Sequence, residues 1–176
     1  MENNTLIVNL LKGINSPVDV SIISSYILAQ LKLTNVGCEH VELWTKGLGN
    51  DDRIYQNPLH VIGTQSYMLN KLYGKTTVIV NEYPLINFIL NTEHRDYLDT
   101  CVMEEFKMYG NNNLNIYLNG IDEDESDKFN TITLWNNICD IMGVDRLDII
   151  YMPATMEGCG EIVQLVLGVL SYIGNE

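Results

Sequence analysis

The stretch that decides the fold is residues 5–20, TLIVNLLKGINSPVDV, together with the apolar-periodic segment that follows it. Residues 5–11 are almost wholly apolar, which predicts a strand buried on both faces of a sheet. Ser16 can cap a helix, with Pro17 in its first turn. Apolar residues then recur at helical spacing, which predicts a helix over 18–33. The stretch therefore indicates a strand, a loop and a helix, which is the repeating unit of an α/β domain.

The loop in this stretch carries the spacing of a phosphate-binding loop without its chemistry. That pattern is Gly, four residues, Gly, Lys and then Ser or Thr. Counting from Gly13 brings Val18, Asp19 and Val20 to the last three positions. A branched side chain replaces the second glycine, a carboxylate replaces the lysine, and the magnesium ligand is missing. On this stretch alone, an ordinary α/β turn explains the single glycine better than a phosphate site does, and we predict no catalytic residue here.

The composition favours one α/β domain over residues 1–176. The hydrophobic fraction is 46% and the mean hydropathy is +0.00, which argues against both disorder and residence in a membrane. The apolar tail at 162–173 is short for a membrane span and contains Gln164 and Gly168. The N-terminus shows no basic start followed by an apolar run, so we expect no signal peptide. The predicted location is the cytoplasm.

The net charge of −13 disfavours a basic surface for nucleic acid. The chain has ten basic residues against 23 acidic ones, so a phosphate-tracking face has little to be built from. An acidic protein can instead dock on a basic partner or mimic nucleic acid, although acidity alone mostly reflects solubility. We therefore expect a protein partner, no nucleic acid through a basic face and no membrane.

Metal and disulfide chemistry are not predicted. The histidines do not share metal-ligand spacing, and the cysteines have no CxxC spacing, which favours free thiols in a reducing compartment. The acidic run at 122–127 lacks the mid-loop glycine of a calcium loop, so we expect a solvated loop there. Gly158-Cys159-Gly160 at a strand-to-helix turn is better explained by close packing than by an anion site or a reactive thiol. The residues concerned are His40, His60, His94, Cys38, Cys101, Cys139 and Cys159.

Five apolar runs alternate with helix-length segments, which predicts a parallel, doubly wound sheet with right-handed crossovers. Because the first and third runs are apolar throughout, we expect those strands to be adjacent and central. The predicted strands are 6–11, 40–44, 77–80, 114–118 and 147–151. The predicted helices are 18–33, 58–72, 84–108, 130–142 and 158–173.

The middle of the chain resembles a known family. A segment with Gln65 in a helix ending near Lys75 is followed by a strand that ends in Glu82-Tyr83-Pro84. This is similar to the small P-loop nucleotide and nucleoside kinase-type proteins of bacteriophages, described as AAA-like ATPases, and more distantly to nicotinamide-riboside kinase domains. Those families have a Gln-containing helix before a strand ending in Asp-Ser-Pro. The resemblance implies a three-layer α/β sandwich of P-loop kinase type with a five-stranded parallel sheet, and a phage origin.

Two departures from that family argue against catalysis. Asp19 and Val20 stand where the family has its phosphate-binding Lys and its magnesium-binding Ser or Thr. The lid of such kinases offers arginines to the transferring phosphoryl group, whereas residues 120–128 are acidic with one lysine. Repulsion between like charges about 4 Å apart costs roughly 4 kcal/mol near a protein surface, which exceeds a typical hydrogen bond of about 1 kcal/mol.

Five residues are the candidates for ligand binding. Glu82, at the carboxyl end of a central strand, lies where open α/β sheets bind ligands, but without a magnesium loop a solvated carboxylate is favoured. Lys12 can approach the phosphate position from another direction, although a surface lysine at a strand end explains it better. Asn15, Ser16 and Gln65 would line a closed pocket if the protein binds a nucleotide-like molecule.

The leading functional hypothesis is a non-catalytic, pseudo-kinase-like protein that acts on a host or defence component through protein contacts. One alternative is a nucleotide or nucleoside kinase with an unconventional phosphate site that uses Glu82 and Lys12. Another is a protein that sequesters a nucleotide-like small molecule without turnover. No cofactor or metal is expected, and homo-oligomerisation is left open.

Overall fold

The structure is a computed structural model, and it describes residues 5–13, 16–42, 58–89, 96–120, 125–142 and 148–173. In this part of the chain, all strand pairings are parallel and join five strands into one open sheet. The strands are β1 (Leu6–Leu11), β2 (Cys38–Val41), β3 (Val78–Asn81), β4 (Asn113–Asn119) and β5 (Ile149–Pro153).

The strand order is β2-β3-β1-β4-β5. β1 is therefore the central strand and β3 is its neighbour, which confirms that these two are adjacent and that neither lies at a sheet edge. The predicted fold class is likewise confirmed as an α/β three-layer sandwich with a five-stranded parallel sheet. This architecture is compatible with a P-loop-like fold.

Six helices of the described residues surround the sheet, together with a 3-10 turn at Gly110–Asn112. They are α1 (Val20–Leu33), α2 (Pro58–Leu72), α3 (Leu85–Ile89), α4 (Asp96–Tyr109), α5 (Glu125–Met142) and α6 (Met156–Ile173).

Three predicted boundaries need correction. The segment predicted as a single helix at 84–108 contains two helices, because Leu85 and Ile86 of α3 share one apolar cluster with Leu98 and Val102 of α4; residues 90–95 lie outside the described part. β2 begins two residues earlier than predicted, since Cys38 is buried and pairs with Val78. The acidic run predicted as a loop at 122–127 reaches into α5, which begins at Glu125, while residues 121–124 lie outside the described part.

The two faces of the sheet carry different helices. Leu6, Val8 and Leu10 of β1 face α1 and α6 and form one large apolar cluster with them. Ile7 and Leu11 face the other way, toward α2, α4 and α5, where the apolar side chains divide into two separate clusters. This division has a cause in the sequence, because Asn9 lies between Ile7 and Leu11 on that face.

Helix α6 is the one described helix that is long and apolar enough to cross a membrane, with 18 residues and a mean hydropathy of 1.3. The prediction that the apolar tail at 162–173 is too short for a membrane span is therefore wrong, because the helix already begins at Met156. In the structure the helix lies against α1 and the sheet, and Ile162, Val163 and Val166 are part of the apolar core. Burial of this face is the pattern of a helix that covers a sheet.

Candidate functional site

The loop after β1 is held together by Lys12. Its ammonium group donates hydrogen bonds to the carbonyl oxygens of Ser16, at 3.3 Å, and Val18, at 3.1 Å. The lysine is half-buried, so it is more than the free surface residue that the sequence favoured. A phosphate-binding loop directs backbone N–H groups inward, whereas this loop directs two carbonyl oxygens toward a cation. The described part of the loop thus has the opposite polarity to an anion site.

The start of α1 is occupied by the chain's own carboxylate. Asp19 is the N-cap residue, and its Oδ1 accepts a hydrogen bond of 3.0 Å from the backbone N–H of Ser21. Asp at this position is among the preferred N-caps, and its charge interacts favourably with the positive end of the helix dipole. The sequence-based capping residue, Ser16, lies three residues too early, although its Oγ does accept a long bond, 3.5 Å, from Val18 N–H.

Glu82 lies in a small buried cluster at the carboxyl edge of the sheet. Its Oε2 is 2.9 Å from His40 Nε2 and accepts a 3.5 Å hydrogen bond from Ser24 Oγ. His40 Nδ1 lies 3.4 Å from Glu42, so the imidazole bridges two carboxylates. The expectation of a solvated Glu82 is wrong, because the residue is only 6% exposed. The cluster joins β2, β3 and α1, which is what a structural role requires.

A ladder of side-chain amides crosses the opposite face of the sheet. Asn81 Nδ2 donates to Asn9 Oδ1 at 2.9 Å, and Asn9 Nδ2 donates to Asn115 Oδ1 at 3.0 Å and to Asn113 Oδ1 at 3.1 Å. Strand register brings these residues together, because Asn9 is paired with Asn81 on one side and with Asn115 on the other. The ladder is the polar band that separates the two apolar clusters on this face.

Helix α2 supplies the first member of the ladder. Gln65 Nε2 donates to Asn81 Oδ1 at 3.4 Å and to the carbonyl oxygen of Tyr83 at 3.3 Å. At the far end, Asn115 Nδ2 donates to the carbonyl oxygen of Asp148 at 3.3 Å. The amides of Gln65, Asn81, Asn9 and Asn115 each donate in the direction of β5. Hydrogen bonds aligned in one direction polarise one another, so the series is stronger than its separate bonds.

A small cavity of about 20 Å³ lies between this ladder and helices α2 and α4. Its polar lining consists of four amide side chains of the ladder with Glu105 and Tyr109 of α4, and its remaining walls are mainly apolar. A cavity of this size has room for about one water molecule. The lining residues are Asn9, Gln65, Leu69, Asn81, Pro84, Leu85, Val102, Glu105, Phe106, Tyr109 and Asn113.

Three buried polar atoms in this lining have no hydrogen-bond partner in the described part of the chain: Gln65 Oε1, Glu105 Oε1 and Tyr109 OH. Burial raises the pKa of Glu105, an effect opposed by a hydrogen bond from Ser66. Burial also raises the pKa of Tyr109, and the nearby carboxyl group of Glu105 adds to this. Buried polar groups normally have partners, so three exceptions in one cavity need an explanation.

The structure brings together only part of the predicted binding set. Gln65 lines the small cavity, but Ser16 and Lys12 lie in the loop on the other side of β1 and do not line it. Glu82 is near β2 and α1 instead. Asn15 lies outside the described residues.

Sequence reasoning missed the asparagines of the ladder. A signal was present, because an asparagine interrupts each of the three central apolar runs, at Asn9, Asn81 and Asn115. Strand register is what turns these three separate interruptions into one feature.

Close packing explains Gly158. A Cβ at this position would meet the carbonyl oxygen of Pro153, so glycine is what lets α6 begin directly against the end of β5. Cys159 beside it is buried, and burial raises the pKa of its thiol, which disfavours the reactive thiolate.

Comparison with known proteins gives no relative. The chain matches no protein-family model, and a search of curated proteins finds no match either.

Proposed function

We propose that this protein is a non-catalytic, pseudo-kinase-like protein that acts through contact with another protein. The absence of catalysis is supported by the polarity of the loop after β1, where Lys12 donates hydrogen bonds to the carbonyl oxygens of Ser16 and Val18. A nucleotide phosphate would have to displace this lysine and would then meet acceptors instead of N–H donors. Repulsion between those oxygens and phosphate oxygens disfavours binding.

The capping carboxylate supports the same conclusion. Asp19 already occupies the N-terminus of α1, where a P-loop kinase would place the phosphates. Glu82, the remaining candidate for metal binding or catalysis, is engaged by His40 and Ser24. In this proposal the sheet keeps the architecture of a phage-type nucleotide kinase. The residues at the carboxyl ends of its strands stabilise the fold and carry out no catalysis.

The surface formed by α1 and α6 is where we propose that the partner protein binds. Each helix exposes large apolar side chains at both of its ends: Ile22 (65% exposed) and Leu33 (77%) on α1, and Met156 (65%) and Tyr172 (71%) on α6. In this proposal these four side chains are apolar contact points for the partner. With a net charge of −13, the proposed partner is a protein with a basic surface, met in the cytoplasm.

Calorimetry with magnesium–ATP tests the absence of a phosphate site. We expect no measurable binding at millimolar nucleotide. Asp19→Asn removes the charge but keeps a capping side chain, and it should not restore binding, because the carbonyl oxygens of the loop remain. A micromolar dissociation constant for the unmodified protein would contradict the proposal and favour a kinase with an unconventional phosphate site.

Association kinetics test the protein contact. A partner recovered from the native host should bind faster at low salt, by about tenfold or more, and this advantage should vanish near 1 M salt, where the Debye length is about 3 Å. Met156→Ser with Tyr172→Ser should weaken the complex. The matched control is Tyr67→Ser, an equally exposed tyrosine on α2 at the other face of the sheet. An interaction that ignores both the salt and the α6 variant would contradict the proposal.

A further inference from the structure

The geometry points to a homodimer in which α1 of one chain packs antiparallel on α1 of a second copy, with the two α6 helices alongside. This inference goes beyond the proposed function and does not depend on it, because it concerns the purified chain alone. The second copy covers the same face as the proposed partner protein, so the two contacts exclude each other.

The outer side of α1 carries one continuous apolar row. Its residues are spaced four, three and four apart, which is the pattern by which two helices pack along each other. Ile22 and Leu33 at its ends are 65% and 77% exposed, and Ala29 is exposed as well. Tyr26 is partly buried and packs against the core. The row is therefore a surface on which a second helix can lie.

Charge is what selects a second copy of this chain for the row. The chain has 23 acidic residues, but α1 contains none, and Lys32 is its one charged residue. Two chains of net charge −13 repel each other, so a contact between them needs a surface without carboxylates. The outer row of α4 from Tyr97 to Met108 has the same spacing, but it includes Glu104. The row on α1 is free of this conflict.

The charges at the ends of the two helices determine the orientation of the copies. Helices α1 and α6 follow parallel strands on one face of the sheet, so they run in the same direction. Acidic side chains lie where they begin, namely Asp19, Glu157 and Glu161, whereas Lys32 lies in the last turn of α1 and residues 162–173 of α6 carry no charge. A two-fold axis across α1 places the acidic end of each copy over the basic or uncharged end of the other. A parallel arrangement would bring the acidic ends together.

The row is also complementary to itself in shape. With the two-fold axis between residues 27 and 28, Ile22 lies opposite Leu33 of the second copy. Tyr26 then lies opposite Ala29 of the second copy, so a large side chain meets a small one at the centre of the contact. Because the dimer is symmetric, each of these pairs occurs twice.

The size of the face predicts a weak dimer. At a rise of 1.5 Å per residue α1 and α6 are about 21 and 27 Å long, and packed helices lie about 8–10 Å apart. The two helices therefore offer about 400–500 Å² on each copy, close to the lower limit of about 1,000 Å² in total for a specific contact. We expect a reversible dimer with a dissociation constant of about 10–100 µM.

Sedimentation equilibrium of the full chain tests the dimer. Between about 1 and 300 µM, the apparent mass should rise from 20.0 kDa toward twice that value. Ala29→Glu places a carboxylate at an exposed position opposite Tyr26 of the second copy, so the variant should fold normally and dimerise about tenfold more weakly. Leu33→Ser, at another exposed position, should weaken the dimer in the same direction. The matched control is Asn137→Glu, which adds the same charge on α5 at the other face of the sheet and should dimerise as the unmodified chain does.

Cross-linking tests the antiparallel register. Ile22→Cys and Leu33→Cys are prepared separately in a Cys101→Ser background, because Cys101 is exposed and would also react. A short bis-maleimide should cross-link an equal mixture of the two variants more than either variant alone, since residue 22 faces residue 33 of the second copy. Preferential cross-linking of each variant to itself would mean a parallel contact and would overturn the proposed geometry.

Two further results would overturn the dimer. A chain that stays monomeric up to about 300 µM would leave the face of α1 to the partner protein alone. An Ala29→Glu variant that dimerises as strongly as the unmodified chain would mean that α1 is not the contact. Neither result bears on the proposed function, whose tests use nucleotide and a partner from the native host.

Discussion

The loop after β1 and the cavity on the other face of the sheet solve the same problem in opposite ways. Both are polar regions next to the central strand. In the loop, Lys12, Asp19 and the backbone satisfy one another's hydrogen-bonding groups. In the cavity, three buried polar atoms have no partner in the described chain. The contrast teaches that polar groups on the two sides of one strand can differ in how far the chain itself pairs them.

The largest effect on stability should come from the middle of the amide ladder. Asn9→Leu keeps the approximate volume but leaves the amide of Asn81 and the oxygens of Asn113 and Asn115 without their partner. Each buried polar group left unsatisfied costs about 1–3 kcal/mol, so we expect a loss of about 3 kcal/mol or more in the free energy of unfolding. Urea denaturation measures it. Asn137→Leu, at an exposed position of α5, is the matched control, and a loss below about 1 kcal/mol at Asn9 would show that the ladder is not a source of stability.

A smaller loss should follow from opening the loop. Lys12→Met removes two charged hydrogen bonds to the carbonyl oxygens of Ser16 and Val18 but keeps the aliphatic stem. Because the lysine is half-buried, we expect a cost of about 1–2 kcal/mol in denaturant unfolding. Lys75→Met, in an exposed turn, should cost almost nothing. Equal losses of stability in Lys12→Met and Lys75→Met would mean that the hydrogen bonds of Lys12 do not stabilise the loop. The loop would then no longer differ from the cavity in having its polar groups paired.

Two neighbouring tyrosines sharpen the comparison further. Tyr73 OH accepts a 2.6 Å hydrogen bond from Asn112 Nδ2, whereas Tyr109 OH is buried and has no partner among the described residues. The centres of the two rings are 4.8 Å apart. Tyr73→Phe should destabilise the protein by about 1 kcal/mol. Tyr109→Phe should be neutral or stabilise it by up to about 1 kcal/mol, because a buried hydroxyl without a partner is removed. Thermal unfolding of the two variants in parallel measures both changes in stability. A greater loss of stability in Tyr109→Phe than in Tyr73→Phe would mean that the Tyr109 hydroxyl has a hydrogen-bond partner.

The smallest expected effect is a change in the pH dependence of stability. Burial raises the pKa of Glu105 above the usual value of 4.5, so its protonated form is favoured in the folded state. The resulting stabilisation is full below the unfolded pKa and is lost as the pH rises through the folded pKa. The hydrogen bond from Ser66 on α2 acts in the opposite direction and lowers the pKa of this carboxyl.

Glu105→Gln should abolish that loss, so the variant should gain stability relative to the unmodified protein as the pH rises from about 4 toward neutrality. Urea titrations at a series of pH values measure the difference. Glu104→Gln, next in the chain but exposed and paired with Lys107, is the control. Parallel curves for Glu105→Gln and the unmodified protein would argue against a raised pKa.

The sheet was predictable because its signal is local. Most of its strands are apolar runs bounded by polar residues, and alternation with helices implies parallel pairing, so the central positions of β1 and β3 follow from their apolar composition. The division of 84–108 into α3 and α4 was missed, although six polar residues at 91–96 interrupt the apolar pattern there. The packing of Leu85 and Ile86 with α4 is a tertiary contact, which local periodicity does not show.

The candidate site was predictable only in part. That Asp19 and Val20 stand where the P-loop pattern has Lys and Ser or Thr is read directly from the sequence, whereas the role of Asp19 as the N-cap of α1 required the structure. Gln65 was found through the resemblance, but its partners were not. The cavity requires strand register and the position of α4 over the sheet, and neither can be read from the spacing of Glu105 and Tyr109 along the chain.

The amide ladder also has a consequence for how the strands find their register. A slip of β3 by two residues against β1 would leave every apolar side chain on its own face, so hydrophobic burial hardly distinguishes it from the correct pairing. Such a slip would, however, bring Asn81 opposite Ile7 or Leu11 instead of Asn9. Asn81 Nδ2 and Asn9 Oδ1 would then lose each other as hydrogen-bond partners, and Asn81 would lie against an aliphatic side chain, which is unfavourable for a buried amide. The asparagines therefore make one alignment of the central strands uniquely favourable.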